Sequence, residues 1–212
     1  MARIAVIGGT GYAGSNIVAE AVSRGHSVVS VARSVPSERV EGAVYLEGNI
    51  LDVPGLLAQL GEVDVVIQAL SPRGDMTGKV RAATAELYAA LPENVRLGVV
   101  GGAGGSLVAP GGPRVIDAGF PEEFKPEAQE AIGILEDLQA NADGNDWFFV
   151  HPAAGFGNWA PGERTGTYRD GGQVLVTDEK GESFISGADL GVAFVDEIEN
   201  PKHHRENFAV GY

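Results

Sequence analysis

The chain has 212 residues, with fifteen Lys and Arg against twenty-nine Asp and Glu, for a formal charge of −14. A field of that sign repels nucleic-acid backbones and anionic lipid surfaces, and no basic run offsets it, so neither is expected as a partner. The absence of cysteine excludes disulfides, thiolate metal sites and Cys nucleophiles.

Apolar residues at 44% and charged residues at 21% fit one folded domain over 1–212. Its apolar runs are too short to span a bilayer. The opening run Ile4–Ile7 stops at Gly8, short of a secretory signal, and the expected location is the cytoplasm.

In chain order, Ile4–Ile7 reads as a strand buried on both faces, followed by a glycine-rich turn and a helix carrying Ile17, Val18, Ala21 and Val22 on one side. Strands follow at Val28–Ala32 and Ala43–Leu46, then a helix at Val53–Leu60 stopped by Gly61. Val63–Ala69 is a strand, Thr77–Leu91 a helix ending before Pro92, and Val95–Val100 another strand. After the Gly/Pro-rich stretch 101–121 come a helix at Glu127–Leu138 and a strand at Asp146–Val150. The C-terminal part carries a long loop over 153–172, extended pieces at Val174–Thr177 and Phe184–Ser186, a helix at Ala188–Ile198 and a strand at Phe208–Val210. Alternating strands and helices predict an α/β fold, a single doubly wound, mostly parallel sheet of Rossmann type with small C-terminal additions. The loops 71–79, 101–125 and 153–172 follow strand ends at the edge where such sheets bind ligands, and they form the expected substrate region.

Gly8-x-x-Gly11-x-x-Gly14 sits between the first strand and the first helix. Gly8 allows the tight turn, Gly11 lets backbone approach a pyrophosphate, and Gly14 lets helix pack on strand. The helix start then offers free N–H groups and partial positive charge to the phosphates. A P-loop is excluded, because the phosphate-binding Lys is missing after Gly14. At the end of the second strand, NAD readers carry an acid for the ribose 2′-OH, whereas this chain has Arg33 and Ser34. A guanidinium there suits a 2′-phosphate, so NADP(H) is expected in preference to NAD(H).

Gly8-Gly9-Thr10-Gly11-Tyr12-Ala13-Gly14, Ala32-Arg33, Gly48-Asn49-Ile50-Leu51-Asp52, Gly101 to Leu107, His151 to Ala154, Arg164 to Arg169 and Ile185 to Leu190 together resemble the atypical short-chain dehydrogenase/reductases. Within them the chain is similar to the NAD(P)H-binding, NmrA-like and biliverdin/flavin-reductase-like group. The resemblance implies that Thr10, Gly11, Tyr12 and Ala13 line the pyrophosphate and Arg33 the 2′-phosphate. It places Asn49 and Ile50 beside adenine and Ala69 and Leu70 at the nicotinamide-side ribose. Gly101, Gly102, Pro152, Ala153 and Ala154 would lie near the nicotinamide.

Ordinary members of the wider family protonate substrate with a Tyr whose pKa is lowered by a Lys four residues on. Here Tyr12, Tyr45, Tyr88 and Tyr168 are followed at that spacing by Asn16, Asn49, Pro92 and Gly172, so the dyad is absent. Without an acid, a conjugated acceptor such as a flavin or quinone is favoured, because charge delocalises and solvent protonates later. Ser106 and Lys125 are the candidate catalytic side chains, and Arg164 and Arg169 could hold an anionic substrate or simply pair within their loop. Phe156, Trp159 and Tyr168 could cover a flat substrate or pin the loop. The expected function is an NADPH-dependent oxidoreductase acting on a small conjugated molecule, with no metal. The alternative is a non-catalytic NADP(H) redox sensor of NmrA-like type that binds a protein partner. A homodimer is compatible with either.

Overall fold

The computed structural model describes residues 1–212 as one eight-stranded sheet flanked by five helices. The strands are β1 (Arg3–Ile7), β2 (Ser27–Ala32), β3 (Ala43–Glu47), β4 (Val65–Gln68), β5 (Arg96–Val100), β6 (Trp147–Pro152), β7 (Arg169–Asp170) and β8 (Glu206–Gly211). Their spatial order is β3-β2-β1-β4-β5-β6-β8-β7, with every pairing parallel except β7 with β8. The helices are α1 (Tyr12–Ser23), α2 (Val53–Leu60), α3 (Val80–Ala90), α4 (Lys125–Ala140) and α5 (Gly187–Glu199).

Side-chain alternation along the strands divides the core in two. Ala5 and Ile7 join Val29, Val31, Leu97 and Phe149 beneath α2, α3 and α4. Ile4 and Val6 join Val28, Ile67, Phe148 and Val150 beneath α1 and α5. Each apolar side chain so enclosed contributes about 1.5–3 kcal/mol relative to exposure, which is why continuous Val/Ile runs belong in a sheet covered on both faces.

The parallel Rossmann sheet matches the sequence expectation, with three local differences. The third helix begins at Val80 rather than Thr77, because Gly74–Met76 form a 3-10 turn ahead of it. Val174 and Phe184 each make only a single bridge, to Leu107 and Gly155, so neither segment is a strand. The antiparallel addition is instead Arg169–Asp170, read from the sequence as loop. The chain reverses direction on either side of β1, first out to β2 and β3 and then to β4, so ligand-binding loops gather at the C-terminal ends of β1 and its neighbours.

Candidate functional site

The three motif glycines do different work. Gly8 has φ +85°, and a Cβ there would lie 2.8 Å from the Ala69 carbonyl oxygen. A Cβ on Gly14 would come within 2.2 Å of the Gly8 carbonyl oxygen. At Gly11 the only near atom is that same oxygen, at 3.3 Å, a tight contact relieved by a shift of a few tenths of an ångström, so the turn's own demand for glycine is mildest there. What a side chain at Gly11 would fill is the exposed surface of the turn, the space a diphosphate needs.

Gly11 is the N-cap of α1, which has no side-chain cap and no acid in its first turn. The amides of Gly8 and Gly9 donate to Val31 and that of Gly11 to Gly8, whereas those of Thr10, Tyr12, Ala13 and Gly14 reach no backbone acceptor. Such a set of unused donors at a helix start suits a dinucleotide diphosphate. The Tyr12 phenol is engaged elsewhere: it donates to the Pro161 carbonyl at 3.2 Å, accepts from the Gly187 amide at 3.0 Å and packs on Phe156. Tyr12 therefore offers its amide, not its ring, to the phosphate side.

Arg33 is the first residue beyond β2, 61% exposed, and its Nη1 pairs with Asp75. Asn49 is exposed and bends the chain by accepting from the Leu51 amide at 3.0 Å. Ile50 is 2% exposed and packs in the core beneath α2, so only its backbone can face adenine. Ala69 and Leu70 are half-buried, and the turn they form is fixed by Gln68, which accepts from the Leu70 amide and donates to Thr84 Oγ1, both at 2.9 Å.

Beyond β5, Gly101 is a packing glycine whose Cβ would meet Phe149 at 2.0 Å, whereas Gly102 faces open space. Pro152 and Ala153 are buried and Ala154 is exposed. His151 lies beneath this turn, 1% exposed, with Nδ1 at 2.8 Å from the Gly102 carbonyl and Nε2 at 3.2 Å from Asn207 Nδ2. The carbonyl can only accept, so the network assigns the proton to Nδ1 and leaves Nε2 to accept. Burial lowers the imidazole pKa to about 4, against a smaller raising effect of the Gly102 bond. The ring is a neutral prop.

The two catalytic candidates are not presented to the open edge. Ser106 is fully buried, and its Oγ has no hydrogen-bond partner. Lys125 pairs with Glu122 at the start of α4. It lines a cleft of about 550 Å³ with Arg114, Asp117 and Glu136, which shares no residue with the glycine turn.

The loop after β6 is tied down by paired groups. Arg164 pairs with the nearly buried Glu20 at 2.9 Å, and Arg169 donates to the Thr177 and Tyr212 carbonyls. Asp189, fully buried at the start of α5, accepts from the Thr165 amide and hydroxyl and the Gly166 amide, each at 2.8 Å, and from the Tyr212 hydroxyl. Burial pushes its carboxyl up, but these donors outweigh it and hold the group below the usual carboxylate value. Phe156 and Tyr168 pack against the α1/α5 core, and only Trp159, 72% exposed, stands free. Sequence reasoning missed Asp75, Asp189 and the Asn207–His151 contact, all set by tertiary pairing. For Asp189 a local signal existed, Ser186-x-x-Asp189, an N-cap whose hydroxyl accepts from the Asp189 amide at 3.0 Å.

Three solved structures are similar over nearly the whole chain. One from Streptococcus pneumoniae TIGR4, called "a putative NADH-flavin reductase", is 33% identical with a TM-score of 0.84, covering 100% of this chain and 99% of its own. A "putative exported protein" from Burkholderia pseudomallei is 37% identical with a TM-score of 0.88 and full coverage of both chains, at 100%. A "putative epimerase" from Bacteroides thetaiotaomicron is 30% identical with a TM-score of 0.85, covering 99% of this chain and 96% of its own. The fold they share is the one described above, and no helix of this chain is long and apolar enough to cross a membrane. The model of the NAD(P)H-binding family matches residues 8–201, from the first glycine of the turn to the end of α5, and the chain belongs to that family.

Proposed function

We propose that this chain is an NADPH-dependent oxidoreductase that delivers hydride to a small conjugated acceptor, a flavin or a quinone. The observation that carries the reading is the contrast at the cofactor edge between four unused amides and the lack of any presented proton donor. Ser106 is buried, Lys125 is paired, Tyr12 is held by its two hydrogen bonds, and His151 is buried and neutral. A saturated ketone would need an acid beside the nascent alkoxide, whereas a conjugated ring spreads the added charge and takes its proton from water. The similarity to a protein called "a putative NADH-flavin reductase" supports the choice of acceptor, and the NADPH preference rests on Arg33 alone.

NADPH would supply the hydride. The chain's own part is to hold the diphosphate on the Thr10, Tyr12, Ala13 and Gly14 amides and the 2′-phosphate on Arg33. The Gly102 turn, steadied by His151, would carry the nicotinamide side. Two measurements test this. NADPH oxidation followed by absorbance under anaerobic conditions with a panel of flavins and quinones should show turnover, and no turnover with any acceptor would overturn the oxidoreductase reading. Arg33→Ala should weaken NADPH by about 1.5–3 kcal/mol, the value of a charge-assisted hydrogen bond, and leave NADH unchanged. Equal affinity of the parent chain for both nucleotides would remove Arg33 as selector.

The missing proton donor also favours a second reading, a non-catalytic NADP(H) sensor. It gains the argument if no acceptor is reduced and a partner protein binds only one redox state of the nucleotide.

A further inference from the structure

The loop 71–79, expected to touch substrate, is instead fastened to α4. Ser71 Oγ donates to Glu127 Oε1 at 2.7 Å, and Arg73 pairs with the other oxygen of that carboxylate. The Gly78 and Arg81 amides both donate to Glu130, at 2.6 and 3.1 Å. Met76 is 7% exposed and joins the core under α3, while Gly74, at φ +58°, supplies the bend that a side chain would strain. Two carboxylates of a helix and one buried Met thus hold the turn. Asp75, 65% exposed, is presented on its outer side, where it meets Arg33.

The sheet order makes this contact informative. Arg33 follows β2, Asp75 follows β4, and β1 stands between those strands. Neighbouring strands are about 4.8 Å apart, so β2 and β4 are separated by roughly 10 Å, and side chains that meet from beyond their ends reach across the end of β1. The end of β1 is the glycine turn. The ion pair therefore lies at the same sheet edge as the glycine turn, and a ligand seeking Arg33 meets Asp75 there.

We propose that Asp75 is a specificity-determining residue for the cofactor, competing with the 2′-phosphate for Arg33 and so restraining the preference for NADPH. The inference rests on the reading of Arg33 as the 2′-phosphate ligand. Asp75 engages Nη1, one of the guanidinium's three nitrogens, so a bidentate anion on Arg33 either takes Nη1 from the carboxylate or binds the remaining donors beside it. Either way the 2′-phosphate loses part of the fork or sits against the Asp75 negative charge, whereas NADH asks nothing of Arg33 and leaves the pair intact. The pair is exposed and weak, so the competition adjusts the selectivity without abolishing binding.

Titration calorimetry of the intact chain with NADPH, NADH and adenosine 2′,5′-bisphosphate tests the idea in four proteins: the parent, Asp75→Asn, Arg33→Ala and the double variant. Asp75→Asn should tighten NADPH and the bisphosphate by roughly two- to five-fold, the range an exposed ion pair supplies, with NADH unchanged. The gain should vanish in the Arg33→Ala background and shrink as salt is added. Unchanged or weaker NADPH binding in Asp75→Asn, with Arg33→Ala still losing NADPH, would overturn the competition and leave the Arg33 reading standing. Weaker NADH binding in Asp75→Asn would also overturn it, by assigning the carboxylate to the ribose 2′-OH. If Arg33→Ala leaves NADPH unaffected, the Arg33 reading itself falls and this inference with it.

Discussion

The glycine turn and the loop after β6 meet at the Tyr12 phenol, yet they treat their polar groups in opposite ways. In the turn, Thr10, Tyr12, Ala13 and Gly14, on either side of Gly11, carry amides with no backbone acceptor. In the loop, Asp189 alone satisfies two amides and two hydroxyls, and Arg164 and Arg169 are both engaged with protein acceptors. Unsatisfied donors on an exposed surface are left for a ligand, whereas paired charges inside a loop hold it in place. The difference separates residues with free donors from residues that shape the loop, and Arg164 and Arg169 fall, in this structure, on the side of pairing within the protein, one of the two roles the sequence left open for them.

The largest effect should come from within the turn itself. Gly14→Ala pushes a methyl into the Gly8 carbonyl and should cost about 1–3 kcal/mol of stability as overpacking, together with dinucleotide binding. Gly11→Ala, three residues earlier in the same motif, has an ordinary extended backbone and meets only the Gly8 carbonyl oxygen, at 3.3 Å. Its melting temperature should fall by no more than about 2–4 °C while nucleotide affinity falls, the cost at an N-cap being about a kcal/mol or less. Thermal melts and titration of both variants would break the comparison if Gly11→Ala unfolded the protein or bound as well as the parent.

His151 supplies the next test. Its folded pKa, about 4, lies below the ordinary 6.5, so the unfolded chain takes up the proton first as pH falls. Its stabilisation is complete above 6.5 and drains away toward 4, by on the order of 3 kcal/mol. Denaturant melts across that window should show the slope in the parent chain and a flatter line in His151→Gln. Asp189 works in a separate, lower window. Its folded pKa is depressed below 3.8, so its contribution is present above that value and is lost only as pH falls through the folded one. Asp189→Asn at neutral pH turns an amide donor toward existing donors and should cost about 2–3 kcal/mol, with nucleotide affinity kept if the loop does no binding. Arg164→Ala should be the smallest change, with thermal melts close to those of the parent, since its guanidinium is half exposed and Glu20 keeps Arg24.

The sheet was readable because its strands are local apolar runs and its first turn is a spaced glycine motif; the end of α2 was marked by Gly61, a local signal, while the Asp52 cap at its start went unread. β7 was not, since two exposed residues become a strand only through pairing with β8, and a run such as Val174–Thr177 looks extended whether or not a neighbour accepts it. The same division holds at the site. The glycines announce themselves by spacing, but Asp75 meets Arg33 across 42 positions and His151 meets Asn207 across 56, distances over which sequence carries no pattern. Burial of Ser106 was equally invisible, because a Gly-rich stretch reads as surface until Ala103–Gly105 turn it inward.

The Tyr12 hydroxyl both gives a hydrogen bond to Pro161 and takes one from Gly187, joining the first helix, the last helix and the long loop at a single oxygen. Such a rivet ties three distant stretches of chain together at one point. Amide exchange in the first turn of α5 should therefore slow when nucleotide occupies the opposite end of the phenol's own residue, and Tyr12→Phe should uncouple the two without emptying the cleft.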